Sequence, residues 1–188
     1  MALQHGFKAK AKRLALEVRE EFDLGPNEQI DPYALAELYG VDVYTLAESC
    51  LPAEAVDYFT TVGRAKFSAA LVPIDTGCYV IENHTHNLCR RRSTMAHEMA
   101  HVLLEHEFKL LIADDNGCRS SSSVAEEEAA QFSGELLIPW EGARWAAFKR
   151  WTDDEVATHF NVSVEMARWR MNGTGVRRFA ERARKRYR

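Results

Sequence analysis

The sequence predicts an α+β fold, a small antiparallel or mixed sheet surrounded by helices, with a helical C-terminal subdomain. Three observations carry that expectation. Apolar residues recur at helical spacing over most of the chain. The stretch VDVYTL (41–46) alternates like a strand. FSAALVP (67–73) and CYVIE (78–82) flank the turn-bearing link IDTG, the pattern of a hairpin.

The elements follow in order. Leu14, Ala15, Val18 and Phe22 share a face of a first helix over about 9–22, which Leu24-Gly25-Pro26 ends. Asp31-Pro32 supplies an N-cap with proline at the first helical position, and Gly40 closes that short helix. After the hairpin, Arg90 to about Glu105 is helical in pattern. Residues 107–123, with the polar half DDNGCRSSSS, form an expected loop. Ser123-Val124-Ala125-Glu126 matches the capping box S-x-x-E, so a helix is expected from there to Ile138, where Pro139 stops it. Helical pieces at about 141–149, 153–160 and 164–171 precede a basic last helix.

Composition narrows the function. The chain of 188 residues is 46% hydrophobic, enough to build a core without disulfides or a structural metal. No run approaches the roughly 18 apolar residues of a membrane span, and no membrane partner is expected. The start, MALQHGFKAKAKRLALEVREEF, has the pattern of a helix and lacks that of a signal peptide. Cys50, Cys78, Cys89 and Cys118 lie far apart with no CxxC pair, which suits a reducing cytoplasm. The formal net charge is −4, yet Val164–Arg188 carries nine Lys/Arg against two glutamates. Such a basic end is either a solvated helix tail or a surface for nucleic acid or an acidic partner.

The chemistry concentrates in MAHEMAH (95–101). Residues four apart on a helix are separated by about 40° around the axis and about 6 Å along it. His97 and His101 therefore share a face and can ligate one ion. Glu98 is turned about 100° from His97, too far for a ligand but placed to act on a water as general base. Catalytic zinc takes three protein ligands and keeps a position open. Glu126, Glu127, Glu128, His84, His86, His106 and Cys118 are the candidates for the third. In the helix after Ser123, Glu126 lies about 40° from the apolar direction, whereas Glu127 and Glu128 are more than about 100° off it. Glu126 is the expected ligand. Cys118, on the loop between the two ligand helices, is a candidate inhibitory fourth ligand, because a thiolate binds zinc well. Its plainer reading is an incidental loop cysteine.

CYVIEN, RRRSTMAHEMAHVLLEH and EEEAAQFSGELLIP resemble the ImmA/IrrE family of bacterial and phage zinc metallopeptidases. The family pattern is a hairpin strand, an arginine-led helix with HExxH, and a helix of the form E-x-x-A-N-x-F-A-x-x-L-L-M-P. The resemblance implies a zincin-like HExxH helix, one Zn2+ ion, ligands His97, His101 and Glu126, and catalytic Glu98. It implies a metallopeptidase domain over 1–150 and a helical extension over 151–188. Its implied substrate is a helix-turn-helix repressor of the Xre type. Cutting that repressor derepresses DNA-damage, mobile-element or anti-phage genes, and single-stranded or other DNA is a candidate activator. Three positions depart from the pattern: Ala130 replaces an asparagine, Ala100 a glycine and Ser93 a phenylalanine. Tyr79, His84 and His86 are candidate oxyanion stabilisers.

TDDEVATHFNVSVEMARWRMNGTG (152–175) has the cadence of a helix-turn-helix. Arg168, Arg170, Arg177 and Arg178 are candidate contacts to nucleic acid or a partner protein. Asp153, Asp154 and Glu155 would repel a DNA backbone, which favours packing or protein docking. Two alternatives to the endopeptidase stay open: a non-catalytic module with structural zinc that sequesters a repressor or contacts DNA, and the toxin of a toxin–antitoxin pair.

Overall fold

The computed structural model describes residues 5–74, 77–106 and 123–186. In chain order the elements are α1 (Phe7–Glu20), α2 (Pro32–Leu38), β1 (Asp42–Thr45), α3 (Ala53–Thr60), β2 (Ala69–Ile74), β3 (Gly77–Glu82), α4 (Leu88–Leu103), α5 (Ser123–Leu137), α6 (Trp140–Lys149), α7 (Asp153–Phe160), α8 (Val164–Gly173) and α9 (Val176–Arg186). This is the expected α+β architecture. Short 3-10 turns sit at Leu46–Glu48 and Arg64–Lys66. The sequence pattern did not announce α3, which buries none of its residues and so shows no sharp apolar stripe.

The helix ends obey local chemistry. The Asp31 side chain accepts from the Tyr33 amide at the start of α2, and Asn87 accepts from the Arg90 amide at the start of α4. Thr152 and Glu155 form a reciprocal capping box at α7. Helix α5 is already helical at Ser123, and the chain immediately before it lies outside the described residues. Helix α4 closes on a Schellman motif. Glu105, in the left-handed conformation at φ 54°, donates to Val102, while the His106 amide reaches back to the His101 carbonyl at 3.1 Å. Asn161 plays the left-handed part after α7, making the turn between the two helices of the helix-turn-helix-like stretch.

The chain forms two compact units. The first comprises 31–130 among the described residues. It holds a three-stranded sheet in the order β1-β3-β2, with β1 parallel and β2 antiparallel to β3. Leu71 pairs with Val80 and Val43 with Val80 across the strands, leaving β2 as an edge. Buried Val80, Leu71 and Ala70 of the sheet and Met95, Ala96, Met99 and Ala100 of α4 are its core side chains.

The second unit comprises 5–30 and 131–186. Its buried side chains include Ala11, Ala15, Val18, Phe132, Leu136, Phe160 and Met171. Arg19 is fully buried, and its guanidinium donates to the carbonyls of Leu136 (2.7 Å), Gly25 (2.9 Å) and Glu28. Burial pushes its pKa down to about 10, so it remains a cation at neutral pH. A buried ion pair joins Glu135 to Arg170, with Arg170 Nε donating to the Ile138 carbonyl at 2.8 Å and Glu135 accepting the Trp140 amide at 3.0 Å. Among the described residues no helix is long and apolar enough to cross a membrane.

Candidate metal centre

Helix α4 is fastened at its start before it presents any functional group. Arg91 makes a two-pronged ion pair with Glu82 at the end of β3, through Nε at 3.2 Å and through Nη2. The Tyr33 hydroxyl donates to the same carboxylate at 2.7 Å. Burial and that bond raise the Tyr33 pKa far above its ordinary value, so it stays a neutral donor. Buried Arg92 reaches Asp31 at 3.2 Å, tying α4 to the cap of α2. Buried Asn83 holds the connection into α4 through the carbonyls of Phe59 (2.7 Å) and Phe67 (3.1 Å).

Two turns further along, three side chains converge. His97 Nε2 lies 3.2 Å from His101 Nε2 and 3.1 Å from one oxygen of Glu126, whose other oxygen is 3.5 Å from His101 Nε2. Donors held roughly 2.0–2.2 Å from a tetrahedral ion stand roughly 3.3–3.6 Å from one another. The three atoms therefore already have about the mutual spacing of three corners of a zinc tetrahedron, and they can hold one metal ion. Two neutral imidazoles and a carboxylate are a donor set suited to zinc. His101 is the floor, with its side chain 7% exposed, while Glu126 at 48% stands at the open side. Glu126 thus joins the two histidines as expected, but it does not face the interior: it is exposed, whereas Glu127 and Glu128 are half-buried, so the apolar-face reasoning that selected it does not hold.

Glu98 reaches the sheet. Its carboxylate accepts the backbone amide of Leu71 on edge strand β2 at 3.1 Å. That bond sets the carboxylate between the ligand helix and an edge strand, a contact the sequence did not reveal.

The other candidates disperse. His86 is buried with Nε2 2.8 Å from the Arg64 carbonyl, and burial lowers its pKa, so it is a neutral anchor for the 64–66 turn. His84 is exposed. Tyr79 meets Tyr44 edge to face, with ring centroids 5.6 Å apart. Glu127 is half-buried on α5 and outside the converging group. His106 is not on the metal side at all: its Nδ1 lies 2.9 Å from Nδ1 of His101, behind the ligand. Ser93 bonds to the Cys89 carbonyl of its own helix at 3.0 Å. Cys118 lies outside the described residues, and Cys50, Cys78 and Cys89 form no disulfide among the described residues.

Of the basic candidates, Arg170 is 3% exposed and committed to Glu135. Arg168 and Arg177 both clamp Asp153, at 3.1 and 2.5 Å. Arg178 is exposed on α9. The acidic residues that opposed DNA in the sequence thus include the internal partner of two of these arginines.

The family model for the IrrE N-terminal-like domain, a peptidase family, matches residues 41–172. The chain belongs to this family. The match covers α4 with its two histidines, Glu98 and the whole of α5, so the converging residues fall inside the IrrE-like peptidase domain. No curated protein matches the chain.

Proposed function

We propose that this IrrE-like peptidase is a zinc-dependent endopeptidase that cleaves and inactivates a partner helix-turn-helix repressor of the Xre type. The observation that carries the proposal is the spacing of His97, His101 and Glu126, with Glu98 one residue from a ligand. His97, His101 and Glu126 would hold a zinc ion, which would supply Lewis acidity at the scissile carbonyl and lower the pKa of the attacking water. Glu98 takes the proton of that water on its carboxylate and returns it to the departing amine, so that water adds across the C–N bond and two chain ends result. The Leu71 amide fixes where the carboxylate stands. A purely structural zinc needs no base beside it, which favours an enzyme over a sequestering module.

The substrate follows from the family resemblance. Cleavage of the repressor in the cytoplasm derepresses DNA-damage, mobile-element or anti-phage genes, and DNA is the candidate activating ligand. The experiment is incubation with the repressor encoded next to this chain. Zinc-loaded protein should cut it at a defined bond, chelation should stop the cutting, and Glu98→Gln should lower the rate by about a hundredfold or more with zinc retained. A Glu98→Gln protein that still cuts at the wild-type rate would sink the enzyme reading. Relief of repression without any cut would point to sequestration.

A further inference from the structure

Behind the metal side of His101 lies a second pair of ionisable groups that the proposed chemistry leaves unused. His106 Nδ1 stands 2.9 Å from His101 Nδ1, and His106 Nε2 stands 3.4 Å from a Glu128 oxygen. The side chains of His106 and Glu128 are 11% and 15% exposed. Among the described residues His106 Nε2 has no hydrogen-bond partner, and 3.4 Å is a loose electrostatic contact, so Glu128 is the group it addresses.

The backbone explains why the pair is there. The left-handed turn at Glu105 folds the chain back, and the Schellman bond from the His106 amide to the His101 carbonyl brings residue 106 beside residue 101. Glutamate at φ 54° is strained where glycine is at ease. The chain nonetheless adopts this geometry, and with it sets one imidazole against another.

Only one proton fits between two facing Nδ1 atoms. A ligand nitrogen must be unprotonated, and the Nε2 of His101 is the one that faces His97 and Glu126. His101 must then carry its proton on Nδ1 and donate it. His106 must accept at Nδ1, which puts its own proton on Nε2, towards the carboxylate of Glu128. We infer that His106 and Glu128 form a positioning relay: they lock His101 in the Nδ1–H tautomer and aim its Nε2 lone pair at the metal. This inference rests on the metal-site reading above. Neither residue is a ligand or a catalytic group, and both act through His101. Such outer partners of a ligating histidine typically change metal affinity by about 10–100-fold.

The test is zinc affinity, measured by competition with a chromophoric chelator, alongside the visible spectrum of the Co2+-loaded protein and the thermal midpoint. His106→Ala should weaken zinc binding by roughly 10–100-fold and shift the Co2+ bands. In His106→Asn the side-chain carbonyl stands where Nδ1 stood and can still accept from His101, so affinity should recover most of the loss. Glu128→Ala should weaken zinc binding several-fold in the wild-type background and add nothing in His106→Ala. Zinc affinity unchanged in His106→Ala would overturn the relay, as would equal losses in the Ala and Asn variants, which mark a merely structural residue. A wild-type protein that binds no zinc would overturn the metal-site reading itself, an outcome distinct from either.

Discussion

The histidine–carboxylate cluster of α4 and α5 and the Glu135–Arg170 cluster of the second unit are finished in opposite ways. In the second, acid meets base: Glu135 takes Arg170 and the Trp140 amide, and Arg170 takes the Ile138 carbonyl. In the first, two imidazole nitrogens and a carboxylate converge, all three able to donate a lone pair to the same point. Charges that neutralise one another within the chain contribute to shape. Lone pairs gathered together call for a cation from outside. That contrast separates residue types the sequence alone treats alike, since arginines of the helix-turn-helix-like stretch were candidate ligand contacts as much as the histidines were.

Breaking the closed cluster should have the largest effect on stability. Arg170→Ala strands a buried carboxylate, and urea unfolding should show a loss of roughly 3–5 kcal/mol. Replacing both partners, Arg170→Met with Glu135→Leu, should recover much of that loss. A loss below about 1 kcal/mol in the single variant would mean that Arg170 is not the structural residue described here.

The comparison sharpens at Glu105, where strain sits beside the open cluster. Glu105→Gly should raise stability by about 1 kcal/mol, read as a higher thermal midpoint, because glycine relieves the left-handed turn. A lower midpoint would show that the glutamate side chain contributes more than its backbone costs.

The smallest effect concerns pH. Burial pushes the Asp153 carboxyl upward, but hydrogen bonds from Arg177 and Arg168 outweigh it and hold the pKa below the ordinary value. A carboxyl depressed in the folded state adds stability that is present above its unfolded pKa and lost as pH falls through the folded one. The difference in unfolding free energy between wild type and Asp153→Asn, less than about 1 kcal/mol for so exposed a pair, should be present near pH 6 and vanish as pH falls below about 4. A difference that grows towards acid would contradict the assignment.

Much of this was legible from short-range chemistry. Asp31-Pro32 and Gly40 announce helix ends because caps act within a turn of chain. The HExxH spacing places two ligands on one face for the same local reason, whereas the apolar face of α5 misjudged burial, since Glu126 is more exposed than Glu127 and Glu128. Contacts that depend on how distant segments meet were hidden. The Leu71 amide on Glu98 requires the edge strand to lie against α4, and His106 behind His101 requires a left-handed glutamate that no turn rule favours. Arg170 looked available because its partner, Glu135, is 35 residues away in sequence.

The central claim is that His97, His101 and Glu126 hold a metal ion that Glu98 serves without binding. It is tested most directly by zinc content after loading and dialysis. Wild type, Glu98→Gln and Glu127→Ala should each retain about one ion per chain, and Glu126→Ala should retain little or none. Full zinc in Glu126→Ala, or its loss in Glu98→Gln, would contradict the account.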